Sequence, residues 1–207
     1  MIEAIAGGAT SGFVLSLMLG TVFFALIQHS IDYGFITGIY IASGVIISDV
    51  IFISLALFGT SMVPAIEAYQ NTIRVAGASL LLVLGAAAWK PQNYQARQST
   101  SARGSVLYYL SKGFFMNALN PVNFFAWVSI ATYLKGALHY TLSQQVVYFT
   151  SCLGAIFLTE CGISFSASRL RKYLNPTVIL WVNRIAGTVF IITAGVILYP
   201  VITQWWR

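Results

Sequence analysis

The sequence predicts an all-α integral membrane protein of about six transmembrane helices, arranged as two inverted three-helix repeats. Three observations predict it. The chain is 58% hydrophobic and only 8% charged over 207 residues, against roughly 45–50% and about 25% in soluble domains. Its apolar stretches approach the roughly 20 residues that a helix needs to cross the hydrocarbon core. Four regions of the first half return, in the same order, in the second.

The expected spans cover about residues 4–29, 36–59, 72–89, 112–134, 144–167 and 181–200. His29 to Gly34, Thr60 to Asn71, Lys90 to Ser111, Lys135 to Ser143 and Ser168 to Leu180 read as the loops between them. Pro64, Pro91 and Pro176 fall in those loops, and Pro200 falls where the last helix is expected to end. Only Pro121 sits inside a span. Met1-Ile2-Glu3-Ala4 puts no basic segment before the first apolar run, so the first span is expected to be retained. Trp205 and Trp206 follow the last span, where indole rings favour the interface. The whole of 1–207 is expected to form one transmembrane domain. Its first repeat covers about 1–89, a cytoplasmic linker about 90–111 and the second repeat about 112–207.

The formal charge of +6 comes from Lys and Arg at helix ends, so membrane topology accounts for it and no nucleic-acid partner is implied. Lys90, Arg97, Arg103, Lys112, Arg169, Arg171, Lys172 and Arg184 share one face. Arg74, Lys135 and Arg207 lie on the other. The positive-inside rule makes the richer face cytoplasmic and places both termini in the periplasm of a bacterial inner membrane.

The repeat is visible residue by residue. Arg74-Val75-Ala76-Gly77 matches Arg184-Ile185-Ala186-Gly187, and Gly85 matches Gly195. Gly44 matches Gly154, and Asp49 matches Glu160. Val22-Phe23-Phe24-Ala25 matches Asn123-Phe124-Phe125-Ala126. Three spans per half is an odd number, so the second half enters from the opposite side. Inverted repeats of this kind are common in secondary transporters.

Two features carry chemistry. Asp49 and Glu160 are the acidic residues inside spans, whereas Glu3, Asp32 and Glu67 lie at ends or in loops. A carboxylate at bilayer depth costs at least ~2.5–3.5 kcal/mol and must face the bundle interior or water. Asp49, in mid-span, is a candidate site for an amine, a cation or a reversibly bound proton. Glu160, nearer the cytoplasmic end, reaches water more easily and is the second proton-coupling candidate. The bland alternative is a hydrogen-bonded residue that only ties helices together.

The other feature is Asn117-Ala118-Leu119-Asn120-Pro121-Val122-Asn123 in the fourth span. Proline within a helix removes a backbone bond and clashes with an earlier carbonyl. In a membrane that loss is tolerated where protein or cavity water replaces the bond. The second half-helix then offers free N–H groups and a positive dipole end to an anionic group. Leu19-Gly20-Thr21 is the repeat partner in the first span, where glycine again permits a break. Gly20, Thr21, Asp49, Asn117, Asn120, Pro121 and Asn123 are therefore the candidate substrate-binding residues. A plain packing kink is the competing account.

The remaining residues read as structural. Arg74 and Arg184 suit interfacial snorkelling, with a gate charge as the sharper alternative. Gly34, Gly38, Ala42, Gly77, Ala78, Ala186 and Gly187 suit close helix packing. His29 and His139 lie near loops, where solvation is expected. Cys152 and Cys161 are separated by about 13.5 Å along one helix and cannot pair. No metal cluster, phosphate-cradling loop or nucleophile triad is visible, so neither a cofactor nor an enzyme is expected.

Leu19-Gly20-Thr21-Val22-Phe23-Phe24, then Gly34-Phe35-Ile36-Thr37-Gly38, then Gly44 through Ser48-Asp49 resemble the lysine-exporter (LysE/RhtB) superfamily. Gly113-Phe114-Phe115-Met116-Asn117-Ala118-Leu119-Asn120-Pro121 is similar to its fourth-helix signature. The resemblance covers nearly the whole chain. It departs at Leu19-Gly20-Thr21, where members usually carry Pro-Gly-Pro, and at Val122, where Lys often follows Asn-Pro. It implies export of amino acids or related small solutes, in some members drawing on the proton-motive force. Gly20, Asp49, Asn120 and Pro121 match its functional positions.

The expected function is thus a secondary-active exporter, with a small polar solute as cargo, protons as coupling ion and lipid as surroundings; self-association is left open. Three other classes compete. A transmembrane thiol carrier needs a thiol in each half, whereas both Cys lie in the fifth span. A non-transporting assembly component needs no central acid and no broken helix. A passive channel for ions or metal is the third.

Overall fold

The computed structural model describes residues 1–17, 20–58, 69–89, 106–170 and 176–205. Among these the chain forms eight α-helices and no strand: α1 Ile2–Leu17, α2 Thr21–Tyr33, α3 Phe35–Phe58, α4 Gln70–Trp89, α5 Val106–Ala118, α6 Pro121–Gly136, α7 Leu142–Leu170 and α8 Pro176–Trp205. Expectations that fall on 59–68, 90–105 or 171–175 lie outside the described residues, as do those on Leu19, Trp206 and Arg207.

Three helices are each long and apolar enough to cross a membrane: Phe35–Phe58, Leu142–Leu170 and the Leu180–Thr203 part of α8. Together α1 and α2 make up a fourth candidate span, bent by 69°. Large apolar side chains point outward, among them Ile2 (83% exposed), Leu158 (72%) and Val196 (66%). In water such a surface would aggregate; in a bilayer it is the lipid-facing side.

Several boundaries differ from the sequence expectation. Helix α2 runs on through His29 to Tyr33, so the expected loop there shrinks to Gly34. Gly34 has φ +95° and its N–H bonds to Ser30 O at 3.0 Å. Its role is therefore this left-handed cap and not close packing, since a Cβ there would meet nothing. Helix α5 starts at Val106, six residues before the expected 112, which places Lys112 within it. Pro176 opens α8, a position where proline's missing N–H costs nothing. Pro200 lies inside α8 and does not end it; apolar Val201 and Ile202 continue the helix, and the Thr203 hydroxyl bonds back to Tyr199 O.

Glycines set the helix pairing. Gly8 lies against Tyr148 and Ser151, and Gly12 against Cys152 and Ala155, so α1 and α7 run in the same direction. Gly113 lies against Ile41, and Asn117 reaches Val45 O, so α5 and α3 also run in the same direction. Gly85 meets Ile191 while the Arg184 guanidinium sits over Trp89, so α4 and α8 run opposite ways. At these crossings a methyl group would press on the neighbouring helix, often on its backbone, which is why the positions are glycine.

Candidate functional site

Both expected breaks exist. Helix α1 ends at Leu17 and α2 restarts at Thr21 after Gly20, whose backbone is extended. Helix α5 ends at Ala118 and α6 restarts at Pro121. The chain turns through bonds from Leu119 N to Phe115 O at 3.0 Å and from Asn120 N to Asn117 O at 3.1 Å. Asn123 N then bonds to Asn120 O at 3.1 Å, opening α6.

The two breaks face one cavity of about 360 Å³. Gly20, Thr21, Asp49, Asn117, Asn120, Asn123 and Glu160 all line it. Pro121 is the first residue of α6. Val45, Trp127 and Ile156 supply apolar wall. Two larger grooves, of about 620 and 530 Å³, are apolar and carry no acidic or basic side chain.

At the centre is Asp49, on α3 and 5% exposed. Asn117 Nδ2 donates to its Oδ1 at 2.6 Å and also reaches Val45 O at 3.4 Å. Asn123 Nδ2 in turn donates to Asn117 Oδ1. Trp127 Nε1 donates to the same Asp49 Oδ1 at 2.8 Å. Both hydrogen bonds to the carboxyl fall on one oxygen and tie α3 to α5 and α6. The other oxygen, Oδ2, is left for a ligand or a proton.

Glu160 corrects one expectation. It does not reach toward water: it is 4% exposed and lines the same cavity, with Oε2 lacking any hydrogen-bond partner. The reason is that α7 packs along α1, α2 and α3 and turns this face inward. The acids that match in the repeat thus meet at one cavity.

His29 and Asp32 are also corrected. Both are buried, at 6% and 2% exposed, because α2 carries them into the bundle. His29 Nδ1 lies 3.0 Å from Ala25 O, and Lys112 Nζ lies 2.8 Å from Nε2. An ammonium can only donate, so Nε2 accepts and the imidazole proton sits on Nδ1. Arg184 stacks on Trp89 at 5.6 Å and on Trp181 at 5.7 Å, two cation–π contacts.

Trp127 was not foreseen from the sequence. It stands one helical turn beyond Asn123 on α6, which is the signal that could have found it. A buried indole N–H needs an acceptor, and Asp49 supplies one. Phe149 packs on the indole at 5.9 Å and fixes its plane.

The model of the LysE type translocator family matches residues 13–200. Searches of curated proteins and of solved structures return no significant match. The match takes in the breaks on both sides of the cavity, Asp49, Glu160, the last five residues of α1 and most of every other helix described, and it is a family of membrane exporters of amino acids or related solutes. On that evidence the chain is an integral membrane protein that belongs to the LysE type translocator family.

Proposed function

We propose that this translocator is a secondary-active exporter driven by the proton-motive force, working by alternating access around the broken helix pairs α1–α2 and α5–α6. The observation that carries the reading is the single cavity where both breaks, three asparagines and the two span-buried acids converge. Among the described residues, no basic side chain lines that cavity. A zwitterionic solute would set its ammonium at Asp49 and its carboxylate at the N-terminal end of α6, where the Asn120 and Asn123 amides and the dipole end favour negative charge. Reversible protonation of Asp49, seconded by Glu160, would couple efflux to proton entry.

The inverted repeat belongs to the same proposal. Exchanging the halves turns the α1–α7 pairing into α5–α3 and returns α4–α8 to itself. The observed directions agree with that exchange: same direction in the first two pairs, opposite in the third. Charge asymmetry supports a bacterial inner-membrane orientation with both termini periplasmic.

Purified chain in liposomes, loaded with a panel of amino acids and divalent metals, with and without a pH gradient, tests the reading. Efflux of at least one amino acid, accelerated by an inward proton gradient, is the expected result. Equal efflux with and without the gradient removes the coupling, and no amino-acid efflux removes the exporter.

A further inference from the structure

The central cavity does not account for every buried polar group. Among the described residues, Glu160 Oε2, Ser164 Oγ and Ser30 Oγ have no hydrogen-bond partner. Glu160 is 4% exposed, and Ser30 and Ser164 are 0% exposed. Removing such atoms from water without a partner is unfavourable, so a column of them needs a reason.

The three are aligned. Ser164 follows Glu160 by one helical turn of α7, about 6 Å along the axis. Ser30 faces Ser164 across α3: a Cβ built on Gly38 would collide with both hydroxyls. The two hydroxyls therefore share the small space above Gly38. Ser30 lies in the last turn of α2 and Gly38 in the first turn of α3, beside the Gly34 turn. From the cavity wall at Glu160 the three lead toward the α2–α3 turn.

We propose that Glu160, Ser164 and Ser30 form a proton path joining the central cavity to the α2–α3 turn, separate from the route taken by the solute. The proposal rests on the proton coupling inferred above and adds the route. A hydroxyl accepts a proton on its lone pair and passes its own hydrogen onward. Glu160 ends the transfer by changing between carboxylate and carboxylic acid, so one proton enters and one leaves. A polar gap the size of one helical turn is within the span of a bridging water. At the cavity end of the path, α3 contributes Asp49, which lines the same wall as Glu160. Neither α1 nor α6 places a charged side chain in the cavity wall. A methyl group at Gly38 would press on both hydroxyls, so glycine there leaves them room.

The test follows hydrogen–deuterium exchange at the Glu160 carboxyl by infrared spectroscopy, on the full chain in phosphatidylcholine vesicles after a jump into heavy water. Loss of the band in Glu160→Gln assigns it. The combination Ser30→Ala with Ser164→Ala should slow exchange by about ten-fold or more. Ser30→Thr with Ser164→Thr keeps the hydroxyls and should restore it, which a purely structural role would not produce. Cys161→Ala, beside Glu160 but outside the column, should leave it unchanged. Equal exchange in the wild type and the alanine variant overturns the path, as does the absence of an exchangeable Glu160 band. The readout needs no transported solute. A failed amino-acid efflux experiment would leave this result standing, and equal exchange would leave the exporter reading standing.

Discussion

Asn117 donates to Asp49 across 2.6 Å, joining the last turn of α5 to the middle of α3 at the wall of the cavity. The same asparagine accepts from Asn123 beyond the break. The carboxyl is thereby held from both sides of the α5–α6 break, so a change at the break is felt at the acid. Hydrogen bonds to a charged group are worth about 1.5–3 kcal/mol each. Asn117→Leu, which removes the bridge and keeps the bulk, should reduce amino-acid efflux by about ten-fold or more, as losing one such bond implies. The melting temperature of the detergent-solubilised variant should fall as well.

Trp127→Phe keeps the ring that packs on Phe149 and removes only the N–H that Asp49 accepts. We expect transport to fall more than stability does. Initial efflux rates and thermal unfolding, measured on the same preparation, separate the two; a variant as active as the wild type would mean that the indole only fills space.

The glycines related by the repeat should not behave alike. At Gly44 a Cβ would run into the backbone carbonyl of Leu110, whereas at Gly154 it would meet nothing. Gly44→Ala should destabilise by about 1–3 kcal/mol through overpacking. Gly154→Ala should be neutral or stabilising by roughly 1 kcal/mol, from helix propensity. Unfolding of both variants in mixed micelles checks the contrast.

Lys112 and His29 should couple. Lys112→Met removes the donor from Nε2, and His29→Leu removes the acceptor. Each should cost stability, by about 0.5–1.5 kcal/mol for the lost hydrogen bond. The double variant should cost less than the sum, because the Lys112–His29 bond is lost only once. A double-mutant cycle of unfolding free energies measures this, and additivity would mean that the contact is not formed.

What the sequence made legible was charge and punctuation. Asp49 and Glu160 stood out because ionisable groups are rare in lipid-depth helices, and the breaks stood out because Pro121 and Gly20 interrupt apolar runs. Their convergence on one cavity was readable only through the repeat. His29 and Asp32 were misplaced because the end of α2 depends on where the helix restarts after its break, and residues four to five positions further on then turn inward. The start of α5 was missed because Tyr108, Tyr109 and Ser111 read as polar linker, although Tyr109 is buried among α2 and α3. Trp127 was passed over, although it stands one turn beyond Asn123, because an indole in an apolar run reads as packing until its acceptor is located in space.

The central claim is that the acid at the cavity binds both cargo and proton. The most direct measurement is proton entry and amino-acid efflux, recorded together in proteoliposomes under an inward pH gradient, for the wild type and for Asp49→Asn. The variant should insert and fold, keep its melting temperature within a few degrees, and lose proton-coupled efflux. Full efflux with undiminished proton entry in Asp49→Asn would contradict the account.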